Sequence, residues 1–409
     1  MKEIFININW SWKLFDYYIE SYLDIIQKYN LEVFVFAKSF LEEDLKKKKD
    51  LENKKIFLQT YNSLEDLEEK IIKLNKNFSI KFINTFVENL IIETNKIKKK
   101  LWQEVTKNFE LFRNKKLQRE LLLNFSKDIT VNFLEEKLKN LDFENLKNNF
   151  WLPFILKPKD WVESSWVAKI EKIEDFEIYK KNNDLEKEIL VEEFIDWEMF
   201  TISEYVDEKW NIIYSPLVKN KLGIEINIDD FFIFSRNINK EIQKEIESIK
   251  LKNFIYDTIK ACEIKNTFIH HEFKLTSSWK LKTIELNWRI WWYRLEMYKE
   301  AYNYNLFDWI FNKKCEENLK YNTSSIAIYP EKKSKLISYN YELLEKIKKL
   351  KSFYSLRIIP EKYEWKIIWL TKDWFTKVGW IKLKNKDYNQ FQKDYNFIEK
   401  NYKNLLITE

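Results

Sequence analysis

FIHHEFKLTSSWKLKTIELNWRI, residues 268–290, is the stretch that decides how the rest of the chain is read. Apolar and polar residues alternate on both sides of Ser278–Trp279, so two strands meet at a tight turn. A two-residue turn there places Glu272 opposite Glu285. Alternate residues of a strand share a face, so Asn287 joins Glu285. Like charges directly opposite one another are destabilising unless a cation lies between them. Two carboxylates and an amide oxygen are the hard donors that Mg²⁺ (or Mn²⁺) takes together with substrate phosphates. The plain alternative is a solvent-facing hairpin with incidental acids. His270 and His271 point to opposite faces, so at most one meets these acids. Both are read as structural, and neither a zinc site nor a catalytic triad is assigned.

Upstream, WLPFILKPKDWVESSWVAKI (151–170) delivers Lys157 to the end of an apolar strand and then turns through Asp160–Trp166. Such a loop lays backbone N–H groups on phosphates if small residues occupy it, and two indoles obstruct that approach. An ordinary hairpin tip with a snorkelling lysine is the competing reading. ILVEEFIDWEMF (189–200) is a buried strand ending in acids and a turn, a weak signal by itself.

The indoles in these turns belong to a wider anomaly. The chain has 409 residues, with 17 Trp and only 2 Gly, Gly223 and Gly379. Ordinary usage puts about 29 glycines in a chain this long. An α/β protein needs them for positive φ and close backbone approach, which an indole cannot supply. Trp210, Trp279, Trp374 and Trp197 each lie beside turn formers, between strand-like runs. Most of the tryptophans are therefore read as glycine in the native protein, from a gene whose UGA codons mean glycine. Trp309, in LFDWIF, is the exception, a helix-face aromatic. The alternative is a Trp-rich surface of stacking platforms.

The remaining composition bounds the class. With 71 Lys+Arg against 65 Asp+Glu the net charge is +6, mildly basic, and 45% hydrophobic residues supply two or three cores. Two cysteines cannot build a disulfide framework, so a reducing compartment is expected. Without a long apolar run or a basic-then-apolar leader, the expectation is a soluble cytoplasmic protein with no membrane partner. Lysine runs at 46–49 and 96–100 are interleaved with acids at helix ends and read as solvated faces, so no nucleic-acid partner is assigned.

Strands at Ile4–Ile8, Val33–Phe36, Ile56–Thr60 and Lys81–Phe86 alternate with helices near 14–29, 63–75 and 87–100, the pattern of a parallel α/β layer. NWSWK (9–13) lacks P-loop spacing and reads as a strand-to-helix turn. From 151 onward strands dominate, at 151–158, 167–172, 188–195, 198–206, 211–221 and 268–288, with a long helix near 239–262. The C-terminal stretch carries short strands near 364–369 and 377–384 and a closing helix near 387–404.

Taken in order, these stretches resemble the ATP-grasp superfamily over roughly residues 80–320, in particular its carboxylate–amine ligases of the carnosine-synthase and L-amino-acid-ligase type. The fold class implied is α/β and α+β. A parallel α/β domain (1–105) precedes a two-lobed ATP-grasp fold with antiparallel sheets (106–320, lid lobe about 127–195) and a C-terminal α/β subdomain (321–409). The resemblance implies that Lys115 and Lys157 contact phosphates, and that 160–167, with Ser164 and Ser165, is a flap over ATP. It makes Glu192 the acid that accepts from the adenine amino group, beside Glu193 and the backbone of Phe194 and Ile195. Glu198 becomes the ribose ligand, although Met199 sits where some relatives place that acid. Glu272, Glu285 and Asn287 become the magnesium ligands. Arg289 lies near the reacting carboxylate, with Lys157 a second catalytic residue, and Arg294 binds a substrate carboxylate.

The activity implied is activation of a carboxylate by ATP as an acyl phosphate, then attack by an amine to give an amide, ADP and phosphate. Small-molecule acid and amine are the partners, and a homodimer through the N-terminal domain is a family expectation. A biotin-carboxylase-like or purine-pathway ligase is the rival enzyme. A Trp-rich module for single-stranded nucleic acid or glycan is the rival without catalysis. WRIWW (288–292) read as G-R-I-G-G lets substrate approach the strand end, whereas three indoles fill that space.

Overall fold

The computed structural model describes residues 1–12, 16–109, 112, 114–158, 167–195, 198–228, 232–291, 293–314, 318–358, 363–368 and 377–409. Ser164, Ser165, Trp161, Trp166, Trp197, Trp292 and Trp374, from the stretches above, lie outside the described residues, as does Cys315.

Runs such as IFINI and VFVFA are apolar on both faces, as a strand sandwiched between helices must be. They form a four-stranded parallel sheet in the order Ile56–Thr60, Glu32–Ala37, Lys2–Ile8, Phe78–Thr85, with Phe5 level with Val33. Helices Asp16–Tyr29, Leu64–Asn77 and Ile91–Lys100 complete this layer domain, as the alternation predicts. Ser63 caps the second helix by accepting from the Asp66 amide at 3.2 Å. One expectation fails here: Lys98, inside the run read as a solvated face, is buried, donating to the Asn266 carbonyl at 2.9 Å above the Phe82 ring. The helix turns that residue inward among Ile91 and Ile97, while Lys96, Lys99 and Lys100 stay outside.

The second sheet is small and antiparallel, in the order Phe133–Lys137, Glu188–Glu193, Phe154–Pro158, Ala168–Ile170. Two helices that the sequence reading did not assign, Phe143–Phe150 and Ile173–Asn182, bury Phe143, Leu146 and Phe176 against it. The first has its cap in Asp142, whose carboxylate accepts from the Asn145 amide at 2.9 Å.

The third sheet has nine strands. Its main path runs Leu281–Asn287, Thr267–Leu275, Met199–Val206, Val218–Leu222, Ile233–Ile238, Asn322–Ile328, Gly379–Asn385, Phe353–Ile358. The stretch expected as one strand at 211–221 is two, because Ile212–Tyr214 folds back on Met199–Val206 before Pro216 breaks the ladder. The helix expected from 239 begins at Ser248, after a short 3-10 turn at Ile242–Lys244. Strands beyond residue 321 extend the same sheet as the central hairpin, so one ladder crosses the boundary drawn at 320. Gly379 stands where a Cβ would lie 2.6 Å from the Arg357 carbonyl, so this strand pair approaches as only glycine permits. Among the described residues no helix is long and apolar enough to cross a membrane.

The hairpin of residues 267–287 pairs Glu272 with Glu285, as expected, by a different route. The turn is longer than two residues. Trp279 donates to the Thr276 carbonyl and sits at φ 60°, while Lys280 closes the loop on Thr276, so Leu275 pairs with Leu281. That register misses the glutamate pairing by one residue. A bulge at Ile284 restores it, and His270, His271 and Glu272 then face Asn287, Leu286 and Glu285.

Candidate active site

The Ile284 bulge leaves carbonyls that need donors, and Arg119 supplies them. It projects from helix Lys115–Phe125, which starts on the Asn114 side-chain cap. Its guanidinium donates to the Thr283 carbonyl at 3.0 Å, to the Ile284 carbonyl, and to Glu192 at 2.9 Å. Glu192 lies next to the end of strand Glu188–Glu193 in the small sheet, so one arginine ties the small sheet to the hairpin. Its other oxygen takes Lys157 at 2.6 Å. Burial opposes the Glu192 charge, but Arg119 and Lys157 outweigh it and hold the carboxyl at about 2. Lys157 moves the other way: burial, together with Arg119 and Lys115, outweighs Glu192 and lowers its ammonium to about 8. Two cations share one carboxylate here, a local excess suited to an anion.

Lys157 and Glu192 line a cavity of about 220 Å³ together with Lys115, Glu272, Glu285 and Asn287. Burial and the opposing Glu285 push Glu272 up to about 7. Burial acts on Glu285 in the same sense, but Lys115, 3.3 Å away, and Lys157 hold it below the usual carboxylate range. A crowded carboxylate pair with an amide oxygen beside it, next to lysines, fits a hard divalent cation shared with phosphates. Among the described residues no three His, Cys, Asp or Glu side chains gather in metal-binding geometry.

His270 lies on the acid face, 3.1 Å from Glu272. Burial, then Arg294, Arg289 and Arg236, drives its pKa well below the ordinary value and keeps it neutral. His271 faces the opposite way, between Glu204 at 2.8 Å and Thr283 at 3.0 Å in a fully buried pocket.

The other expected residues are placed as follows. Glu193, Phe194 and Ile195 line the cavity. Glu193 receives the Asn132 amide at 3.1 Å and the Lys282 ammonium, and the Ile195 carbonyl accepts from Lys274 at 2.8 Å. Met199 lines the cavity, whereas Glu198 pairs with Lys219. Arg289 is buried, bonded to Glu88 at 3.1 Å and stacked 4.2 Å over Trp291. Arg294 is wholly buried and donates to Thr201, leaving its Nε and Nη1 without a hydrogen-bond partner among the described residues. Of the flap, Val167 is described and lines the cavity.

Sequence reasoning missed Arg119, Lys274 and Arg236. Arg236 lines the cavity from strand Ile233–Ile238, 4.7 Å over the Tyr293 ring. Its signal was present: a lone arginine inside the apolar run FFIFSRNI.

Residues 150–290 match the ATP-grasp domain family. Solved structures of the same fold include an L-amino acid ligase from Bacillus licheniformis, 15% identical, with TM-score 0.66 over 100% of this chain and 98% of that one. N5-carboxyaminoimidazole synthetase from Staphylococcus aureus complexed with ADP is 16% identical, with TM-score 0.64 over 98% of both chains. Phosphoribosylglycinamide synthetase from Anaerococcus prevotii is 15% identical, with TM-score 0.61 over 100% and 99%. At these identities the likeness is one of fold. A comparison with curated proteins returned no sequence match. Residues 150–290 thus match an ATP-grasp domain, and the chain as a whole shares the fold of these solved ligases.

Proposed function

We propose that the protein joins a carboxylic acid to an amine at the expense of ATP. One observation carries the reading: Glu272, Glu285 and Asn287 present hard oxygen donors to the cavity that Lys115 and Lys157 also enter. A magnesium ion held by those donors would neutralise charge on the nucleotide's phosphates. Lys115 and Lys157 bind the same phosphates, Lys115 leaving Glu285 while Lys157 stays held by Glu192. Glu192 is read as positioning Lys157 rather than accepting from adenine, because Arg119 and Lys157 already occupy its oxygens. In the first step a substrate carboxylate oxygen bonds the γ-phosphorus as the bond to ADP breaks. In the second the amine nitrogen bonds the acyl carbon, loses a proton, and phosphate leaves. Arg289 is the donor for the developing oxyanion.

ADP release that requires Mg²⁺, a carboxylate and an amine together is the expected result, and Glu285→Ala abolishes it in a folded protein. Unchanged turnover in that variant removes the assignment. A purine-type ligase, named in two of the structural neighbours, is the second reading. ADP release driven by bicarbonate, or by a phosphoribosyl amine without other amines, selects it.

We also propose that most of the tryptophans are glycine in the native protein. Trp102, Trp151, Trp210, Trp279 and Trp365 have φ between 60° and 64°, where a bulky side chain is strained. Trp151, with φ 61° and ψ 169°, occupies backbone space that is nearly exclusive to glycine. Burial offsets nothing, since Trp102 is 95% exposed, Trp151 80% and Trp279 61%. Trp291 lines the cavity and covers one face of Arg289, its indole N–H without a hydrogen-bond partner among the described residues, so glycine there would uncover that face toward the cavity. Trp309 lies fully buried beside Phe268, in keeping with a true tryptophan. Peptide masses from the protein as its own organism makes it decide the matter, with tryptophan at 151 and 279 sinking the proposal. A cytoplasmic location and a homodimer stay as proposals, the second tested by sedimentation.

A further inference from the structure

Two registers meet in the glutamate hairpin. Leu275, Lys274 and Phe273 face Leu281, Lys282 and Thr283, whereas beyond the bulge Glu272, His271 and His270 face Glu285, Leu286 and Asn287. Continued without the bulge, the first register would bring Glu285 opposite His271, on the face turned away from the cavity. The placing of the bulge therefore decides where the Glu285 carboxylate points, and Thr283 is the residue just before it. Each polar group of Thr283 is held. Its amide donates to the Ile129 carbonyl at 2.9 Å, its carbonyl accepts from Arg119 at 3.0 Å, and its hydroxyl meets His271 Nε2 at 3.0 Å. His271 stands in the second register and Thr283 in the first, so their bond spans the bulge. The imidazole is itself fixed, with Nδ1 2.8 Å from the Glu204 carboxylate and the Phe254 ring stacked on it at 5.1 Å. Glu204, on the neighbouring strand Met199–Val206, settles which ring nitrogen meets the hydroxyl. His271, Glu204 and Thr283 are all 0% exposed, so bulk solvent does not compete for these bonds.

Resting on the metal-dependent ligase reading above, we propose that His271 is a positioning residue for the reaction: through Thr283 it pins the bulge from the back of the hairpin and keeps Glu285 turned toward the cation, level with Glu272. Arg119 grips the carbonyls at the bulge, and His271 the side chain beside them. Without the hydroxyl bond the bulge is free to shift along the strand, and a shift of one residue carries Glu285 to the other face. Partners that stand behind metal ligands act on metal affinity in this way, without touching the ion themselves.

The test titrates the full chain with Mn²⁺ in the presence of ADP, counting the free ion by electron paramagnetic resonance well below the unfolding midpoint of each variant. Thr283→Val, which keeps the shape and loses the hydroxyl, is expected to raise the Kd for Mn²⁺ about tenfold or more. Thr283→Ser, which keeps the hydroxyl, stays within about threefold of the parent chain. A merely structural role lowers the unfolding midpoint and leaves the Kd of the folded chain unchanged. That result, or an equal rise in the serine variant, overturns the inference. Should Thr283→Val fail to fold, Glu204→Leu combined with His271→Phe deletes the same bond without stranding a buried charge. The same rise in Kd is expected there, and an unchanged Kd overturns the inference as well. Mn²⁺ binding needs neither acid nor amine, so the two readings fail separately. If the Kd rises as stated but no acid and amine together release ADP, the ligase reading fails and the positioning role stands. If the Kd is unchanged while ADP release persists, the positioning role fails and the ligase reading stands. If the parent chain takes up no Mn²⁺ with ADP, both fail.

Discussion

Arg119 donates to Glu192 at 2.9 Å across the junction of two sheets, and the same guanidinium holds the bulge that brings Glu285 level with Glu272. One side chain thus sets both the lysine side and the carboxylate side of the cavity. Removing it leaves Glu192 with one cation and Ile284 without its donor. Arg119→Met is expected to cost roughly 3 kcal/mol, measured by urea unfolding. In the folded fraction the affinity for Mg²⁺-ATP falls. Arg119→Lys, with a single head group, recovers stability only in part.

The carboxylate pair makes a separate claim. In Glu285→Ala the fold persists while ADP release drops by about a hundredfold or more, the scale of a lost transition-state charge contact. Glu272→Gln, with the same shape and one charge fewer, weakens Mg²⁺ binding when that is titrated directly. Retention of full metal dependence in both variants would show that the cation, if any, binds elsewhere.

Stability should carry a pH signature from Lys98. Burial lowers its pKa to about 7, with Glu208 acting in the opposite sense. Above that value the folded chain has lost the proton, while the unfolded chain keeps it until about 10.4. The unfolded state therefore binds more protons between these limits, and stability rises with pH across them, by up to about 1.4 kcal/mol per unit. Below about 7 both states are protonated and this contribution is flat. Lys98→Met should remove the rise, as read by thermal unfolding between pH 7 and 10.

Trp279→Gly and Trp151→Gly should each stabilise the chain by about 1 kcal/mol, through relief of backbone strain at exposed positions. Trp279→Ala tests the cause, because alanine shortens the side chain but keeps the Cβ. An equal gain in alanine and glycine variants would assign the effect to the indole rather than to φ.

Much of the fold was legible in local pattern. Val33–Phe36 is apolar on both faces and Ile4–Ile8 nearly so, as a strand between two helix layers must be. The glutamate pairing was also legible, yet the turn was not: an expected two-residue turn and an unforeseen bulge at Ile284 differ by offsets that cancel. Lys98 and Arg236 were misread or missed because helix rotation and sheet neighbours, which no window of sequence contains, decide which way each points.

The sequence by itself determined the alternating N-terminal layer, the hairpin with its facing acids, and the misfit of tryptophan at turns, because each follows from residue spacing or from the sterics of one residue. Tertiary structure alone decided that Glu192 belongs to Arg119 and Lys157, that Arg289 meets Glu88, and that the strands after residue 321 extend the sheet of the glutamate hairpin. These are meetings of residues far apart in the chain, and their energies depend on burial and on charges that only the packed sheets bring together.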